Sequence, residues 1–244
     1  MSFITLNRVT KQYSEATGVR DVSLKIKKGS FVSIVGPFGS GKTTLLRAVA
    51  GLVSDYDGVI KIGEMTPEEA KATRRIGVGF QQPTLLQWRN VINNIGLPLE
   101  IAKPSTYTNP DELLGLAGLS SIREREIHEL SGGTRQLVSI LRSLVLNPDV
   151  LLLDEPFSSI DEMTKDSMHE KLLAIHRQRK QTTILVTHSL QEAVYLSDQV
   201  IVLSKAPGEV KSIIDISFPR DSIEAKYSPE SLEYIRQLRA EIYS

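Results

Sequence analysis

Apolar and polar positions alternate along the first part of the chain. Phe3, Ile4 and Leu6 open a strand, and Val22, Leu24 and Ile26 stand at every second position between polar neighbours. That period belongs to a half-buried antiparallel strand. Lys28-Gly29 turns the chain into Phe31-Val32-Ser33-Ile34-Val35, a mostly apolar run that fits a strand covered on both faces. A glycine-rich loop follows, then a helix from about Lys42 to Ala50, and Gly58–Ile62 and Ile76–Phe80 read as further short strands. From about Leu85 to Leu146 the pattern is helical, with Pro98, Pro104 and Pro110 as punctuation. Beyond Asn147-Pro148, two very apolar strands, Val150–Leu153 and Thr183–Thr187, flank the polar, helix-forming stretch Glu162–Arg179. This β-α-β order predicts a parallel sheet covered by helices. Gln199–Ser204 and Glu209–Ile216 form a hairpin around Pro207-Gly208, and Pro229–Ile242 is an amphipathic helix with Leu232, Ile235, Leu238 and Ile242 on one stripe. No internal repeat, low-complexity tract or heptad seam is visible. The expectation is an α/β core interrupted by a helical insertion.

Composition narrows the class without naming a function. With 244 residues the chain holds one or two domains and needs no covalent staples. Twenty-nine basic and 29 acidic residues cancel, which argues against a nucleic-acid partner held by bulk charge. There is no cysteine, so disulfides and thiolate metal sites are excluded. No apolar run approaches the length of a membrane span, and the first residues lack the basic and apolar regions of a signal peptide. The expectation is a cytoplasmic chain whose membrane role, if it has one, is peripheral.

Two segments carry chemistry. Gly36-Pro37-Phe38-Gly39-Ser40-Gly41-Lys42-Thr43 fits G-x-x-x-x-G-K-[ST] and lies between a buried strand and a helix. Glycines let the backbone curl so that successive N–H groups point at phosphate oxygens, and the helix N-terminus adds its positive end. Lys42 can reach the β- and γ-phosphates, and the Thr43 hydroxyl can ligate Mg²⁺. Thr44 joins the same first turn. The second segment, Val150-Leu151-Leu152-Leu153-Asp154-Glu155-Pro156, is an apolar strand ending in two carboxylates. Ligands of open α/β sheets bind beyond the carboxyl ends of strands. Asp154 is placed to hold Mg²⁺, and Glu155 to polarise an attacking water. The bland alternatives are a ligand-free turn in the first case and a strand exit into solvent in the second. Each explains one segment, and neither explains both.

Leu130-Ser131-Gly132-Gly133-Thr134 then completes a set that resembles the ATP-binding cassette proteins. In order along the chain stand Tyr13, the phosphate loop at 36–43, Gln81, the signature at 130–134, Asp154-Glu155, Ser159-Ile160-Asp161 and His188. The resemblance implies a P-loop NTPase cassette with a mixed RecA-like core, an N-terminal antiparallel β subdomain and an inserted α-helical subdomain. As a single cassette it would have its core at 1–84 and 147–220, its helical subdomain at about 85–146 and a terminal helix at about 229–242. It further implies ATP and Mg²⁺ as ligands and a head-to-tail homodimer in which Ser131, Gly132 and Gly133 face the other copy's phosphate loop. By position Tyr13 stacks on adenine, Gln81 senses Mg²⁺ and water, Asp161 touches the opposite cassette, and His188 contacts the γ-phosphate. Gln82 adjoins Gln81, and Asp161 also suits a plain helix N-cap. His128, His169 and His176 have no such placement.

A single compact cassette with no coiled coil resembles a transporter's nucleotide-binding subunit. Gly79-Phe80-Gln81-Gln82-Pro83-Thr84-Leu85-Leu86-Gln87-Trp88 and the ending Ser228-Pro229-Glu230 resemble the bacterial nitrate/sulfonate/taurine importers and related importers of pyrimidine precursors. That likeness implies separate integral membrane permease subunits, an indirect solute-binding partner outside the membrane, and a place on the cytoplasmic face. A soluble regulatory or assembly ATPase is the alternative. Trp88 suits either an anchor for a permease helix or a core position. The chain ends soon after residue 240, and no long regulatory domain is expected there. Thr134 replaces the signature glutamine, Leu137 an arginine, and Leu141-Arg142-Ser143 the more usual Ala-Arg-Ala.

Overall fold

The computed structural model describes residues 2–14 and 17–243. In chain order it runs through β1 (Ser2–Ser14), β2 (Thr17–Lys27), β3 (Phe31–Val35), α1 (Lys42–Val49), β4 (Asp57–Ile62), α2 (Pro67–Ala72) and β5 (Ile76–Gly79). The helices α3 (Val91–Ala102), α4 (Pro110–Leu116) and α5 (Gly132–Leu144) follow, then β6 (Val150–Asp154) and α6 (Glu162–Arg179). The chain closes with β7 (Thr182–Val186), α7 (Leu190–Leu196), β8 (Gln199–Leu203), β9 (Val210–Asp215) and α8 (Pro229–Tyr243). These elements form two compact units, Met1–Thr73 with Thr182–Ser244, and Arg74–Gln181.

The first unit holds an antiparallel sheet in the order β2-β1-β4. Ile4 lies opposite Ile26 and Ile62, and Leu6 opposite Leu24 and Ile60, all buried. Sliding either pairing by one residue would turn this apolar set to water, so the alternation sets the register. A second layer orders its strands β7-β3-β8-β9. β3 pairs in parallel with β7 and β8, and β9 closes the edge antiparallel to β8. All five residues of β3 are buried, as a parallel strand covered on both faces demands. On α8 the buried apolar positions are Ile235 and Leu238, which join Val200, Val202 and Ile214 in one core cluster. Leu232, expected on that stripe, is largely exposed instead.

The second unit pairs β5 with β6 in parallel, Ile76 opposite Val150 and Gly79 opposite Leu153. A Cβ on Gly77 would lie 2.3 Å from the Ser143 carbonyl oxygen, which shows how closely α5 is pressed onto this strand. Pro98 does not punctuate the helical stretch; it sits inside α3. A proline there gives up the one hydrogen bond to the carbonyl four residues back, while the buried Val91 and Ile95 hold the helix in the core. The helix ends at Lys103, in a left-handed conformation just before Pro104. The helices α2 and α7 add to the expected elements. α2 is started by a capping box between Thr66 and Glu69, with Pro67 at its first position.

Candidate functional site

In the first unit, β3 delivers the chain into the phosphate loop, and neighbouring strands dictate its glycines. A Cβ at Gly36 would meet the Leu203 carbonyl oxygen of β8 at 2.7 Å. Gly41, the N-cap of α1 at φ +83°, lies under β2, where a Cβ would stand 2.5 Å from the Gly18 carbonyl oxygen and 2.6 Å from Val19 Cγ1. The Lys42 side chain is folded into the loop. Its Nζ donates to the carbonyl oxygens of Gly36 (3.0 Å) and Pro37 (2.9 Å) and to Ser40 Oγ at 3.4 Å. The cation is thus held inside the curl of N–H groups by acceptors that an incoming phosphate oxygen can replace. Phe38 and Gly39 form the outer rim of the loop, with Phe38 fully exposed. Thr43 and Thr44 occupy the half-buried first turn of α1.

Two further predicted residues share this unit. Tyr13, near the end of β1, is 60% exposed, and Lys11 Nζ lies 4.9 Å from its ring centroid. Lys11 is itself paired with Asp55. The ring is therefore a presented surface and not a core filler. His188 follows β7 and is exposed, but its neighbours are pinned. Thr187 Oγ1 donates to Glu192 Oε2 (2.6 Å) and accepts from the Ser189 N–H (3.0 Å), and Ser189 Oγ accepts from the Glu192 N–H at 3.3 Å. Glu192 is only 4% exposed. His188 and the loop residues Gly36, Pro37 and Phe38 line one cavity of about 790 Å³. The structure thus brings the phosphate loop and the histidine together.

The second unit carries the carboxylates. Asp154 is the last residue of β6 and is half-buried. Glu155 adopts φ +45°, a left-handed conformation that costs a non-glycine residue about 1–3 kcal/mol and marks candidate functional positions. Ser158 bridges it to Gln81: Ser158 Oγ donates to the Glu155 carbonyl oxygen (3.0 Å) and accepts from Gln81 Nε2 (3.1 Å). The strand end that bears Gln81 is clamped from α5, because Gln136 Nε2 donates to the Phe80 carbonyl oxygen and Arg142 to both oxygens of Thr84, each at 2.8 Å. Burial lowers the pKa of Arg142 from its ordinary value.

The signature segment is built for its own helix first. Ser131 is the N-cap of α5 and accepts from the Thr134 N–H at 3.2 Å, and the two hydroxyls also meet at 2.9 Å. A Cβ on Gly133 would sit 2.5 Å from Thr164 Cγ2 and 2.9 Å from Met168 Sδ, so this glycine serves the approach of α6. Gly132 faces open space. Asp161 caps α6 by accepting from the Thr164 N–H at 2.9 Å, and the hydrogen bonds from Thr164 hold its carboxyl below the usual carboxylate range. Trp88 is 77% exposed, which removes the core reading. Its loop is fastened by the buried Asn94, whose Oδ1 accepts from the Leu86 N–H (2.8 Å) and whose Nδ2 donates to the carbonyl oxygens of Leu86, Arg89 and Asn90. Ser158, Glu192 and Asn94 escaped the sequence reading because none stands within a motif; each is found only through its hydrogen-bond partners.

A family model described as ABC transporter matches residues 19–158, more than half of the chain. The chain belongs to the ABC transporter family. The matched ABC segment contains the phosphate loop, Gln81, the signature and the paired carboxylates, while Tyr13, Asp161 and His188 lie outside it. An aliphatic sulfonates import ATP-binding protein of Bacillus thuringiensis subsp. konkukian is 35% identical over 241 residues, covering 96% of this chain and 95% of that protein. A taurine import ATP-binding protein of Rhizobium johnstonii is 39% identical over 232 residues, with 91% and 88% covered. Among solved structures, a dimeric ATP-binding cassette in a post-hydrolysis state, bound to ADP and Pi, superposes with a TM-score of 0.70. It is 29% identical and covers 88% of this chain and 100% of its own.

The ABC cassette's ligands fit the residues present. The Lys42 ammonium is already seated on the carbonyl oxygens of Gly36 and Pro37, where a phosphate oxygen can take their place. A hydroxyl at Thr43 and a carboxylate at Asp154 are hard oxygen donors of the kind Mg²⁺ takes alongside phosphate. Among the described residues no helix is long and apolar enough to cross a membrane.

Proposed function

We propose that this chain is the ATP-hydrolysing subunit of an importer, acting at the cytoplasmic face as a head-to-tail homodimer beneath separate permease subunits. The single observation that carries it is the phosphate loop with its lysine already seated on the Gly36 and Pro37 carbonyl oxygens and His188 nearby. The import names of the sulfonate and taurine relatives support the direction and a small solute of that kind, with a solute-binding protein as an indirect partner.

In this reading the loop N–H groups of 36–41, with Lys42, Thr43 and Thr44, bind and orient the phosphates, and Tyr13 stacks on the base. Thr43, Asp154 and Gln81 would hold Mg²⁺, which would supply charge neutralisation on the phosphate oxygens. Glu155 orients water and takes its proton as the water oxygen bonds to the γ-phosphorus and the bond from that phosphorus to the β,γ-bridging oxygen breaks, with ADP as the leaving group. His188 and Gln81 steady the γ-phosphate end. Ser131, Gly132 and Gly133 offer a helix N-terminus to the nucleotide of the opposite cassette, where Asp161 also makes contact. Exposed Trp88 on its Asn94-braced loop anchors a cytoplasmic helix of the permease.

Glu155→Gln tests the chemistry: ATP binding is retained, hydrolysis is lost, and a closed dimer accumulates. Hydrolysis near the wild-type rate would refute the role of Glu155. Pull-down from detergent-solubilised membranes tests the assembly. Recovery of a multi-span partner, lost in Trp88→Ala, supports the importer, whereas recovery of soluble partners alone points to a regulatory ATPase.

A further inference from the structure

We propose that the cavity of about 790 Å³ between α8 and the phosphate loop is a binding site for a small, soluble amphipathic organic anion bearing a carboxylate or sulfonate head. Its volume lies within the roughly 300–1,000 Å³ of small-molecule sites. One wall is Pro37, Phe38 and the turn at His188; the other is α8. On α8, Leu232, Arg236, Arg239 and Tyr243 follow at i, i+4, i+7 and i+11, so all four line one stripe. The neighbouring Ile235 and Leu238 are sunk into the core, which fixes the rotation of the helix and holds both arginines to the cavity.

The lining is two-sided in its chemistry. Phe38 (105%), Tyr243 (82%) and Leu232 (41%) leave large apolar surfaces in water around the same opening. Exposed apolar surface gathered in this way marks a place that is covered in use. Arg236 and Arg239 add two guanidinium groups, and among the described residues no carboxylate side chain lines the cavity. Glu233 approaches Arg236 at 3.4 Å, but both side chains are about three-quarters exposed, and such a pair yields readily to a better acceptor. An inorganic anion would use the arginines and waste the apolar wall; a neutral hydrocarbon would do the reverse. An organic anion uses both, through charge-assisted bonds to the guanidinium forks and contact with Phe38, Leu232 and Tyr243.

Because Pro37 and His188 form the far wall, occupancy would also restrain the phosphate end and slow ATP turnover. That coupling rests on the ATPase reading, and the binding itself does not.

The test is calorimetric titration of the full chain with 1-octanesulfonate below its micelle threshold. One saturable site is expected, at least tenfold weaker in Arg236→Gln/Arg239→Gln and at least tenfold weaker for neutral 1-octanol. MgATP binding and thermal stability should be unchanged in the double variant, which shows that it is folded. No saturable heat, or equal binding by wild type and variant, overturns the proposal. Sedimentation with phosphatidylglycerol vesicles addresses the source: co-sedimentation that needs both arginines would assign the site to a membrane lipid and overturn a soluble ligand. Binding without any change in ATPase rate would overturn the coupling and leave the site standing.

Discussion

The backbone at Glu155 offers a test in which chemistry and conformation separate. With φ at +45°, a Cβ here costs about 1–2 kcal/mol relative to a residue without one. Glycine removes that cost but loses about 0.5–1 kcal/mol more chain entropy on folding. Glu155→Ala and Glu155→Gly both delete the carboxylate and its contacts, so their difference isolates the backbone. Glu155→Gly should be the more stable of the two by about 0.5–1 kcal/mol, the reverse of the usual order. In a chain of this size that corresponds to a melting temperature about 1–4 °C higher. At Asp154, one residue earlier within β6, the same pair should keep the usual order with alanine ahead. Thermal and urea unfolding of the four variants measures both differences, and both Glu155 variants should be inactive as ATPases. If Glu155→Gly proved less stable than Glu155→Ala, the left-handed turn at the end of β6 would not be held in solution. The reasoning that ties strain to a functional carboxylate would then fail.

Other expectations follow from the same geometry. Gly41→Ala forces a Cβ to 2.5 Å from a backbone oxygen at a positive φ, and should cost about 2–3 kcal/mol and weaken ATP binding at least tenfold. Gly39→Ala, at φ +78° but with nothing within 4 Å, should cost only about 1 kcal/mol; denaturation and nucleotide titration compare them. Ser158→Ala breaks the bridge from Gln81 to Glu155, and steady-state kinetics should show kcat about 3–10-fold lower with nucleotide affinity unchanged. The carboxyl of Asp161 is held below 3.8 by Thr164, so its contribution to stability is present above that pH and lost as pH falls through the lower folded value. Asp161→Asn should therefore melt below wild type at pH 7, with the gap closing below pH 3.8. A gap that does not change with pH would mean that the carboxylate is not held.

Much of the molecule was legible before any coordinates. Strand alternation placed β1, β2 and β4, because a half-buried strand must repeat every two residues. The phosphate loop and the paired carboxylates stood out because each packs its chemistry into a few adjacent positions. The helix α2 is not among the expected elements, although Thr66-Pro67-Glu68-Glu69 announces a capped helix start, and α3 runs through Pro98, an expected break, because burial of Val91 and Ile95 outweighs one missing hydrogen bond.

Other features depend on which distant segments meet. Gly133 is expected from the resemblance to face the other copy's phosphate loop, and the structure adds that its missing side chain makes room for Thr164 and Met168. Leu232 fits the apolar stripe of α8 by periodicity, yet the helix turns it to the cavity because Ile235 and Leu238 take the core. Ser158 joins Gln81 across 77 positions, and Glu192 braces the turn at His188 from inside the core. Periodicity, capping and turn preference act between near neighbours and are written locally in the residues. The space at a Cβ, the partner of a hydroxyl and the exposure of Trp88 are set by segments remote in the chain, and only the folded structure decides them.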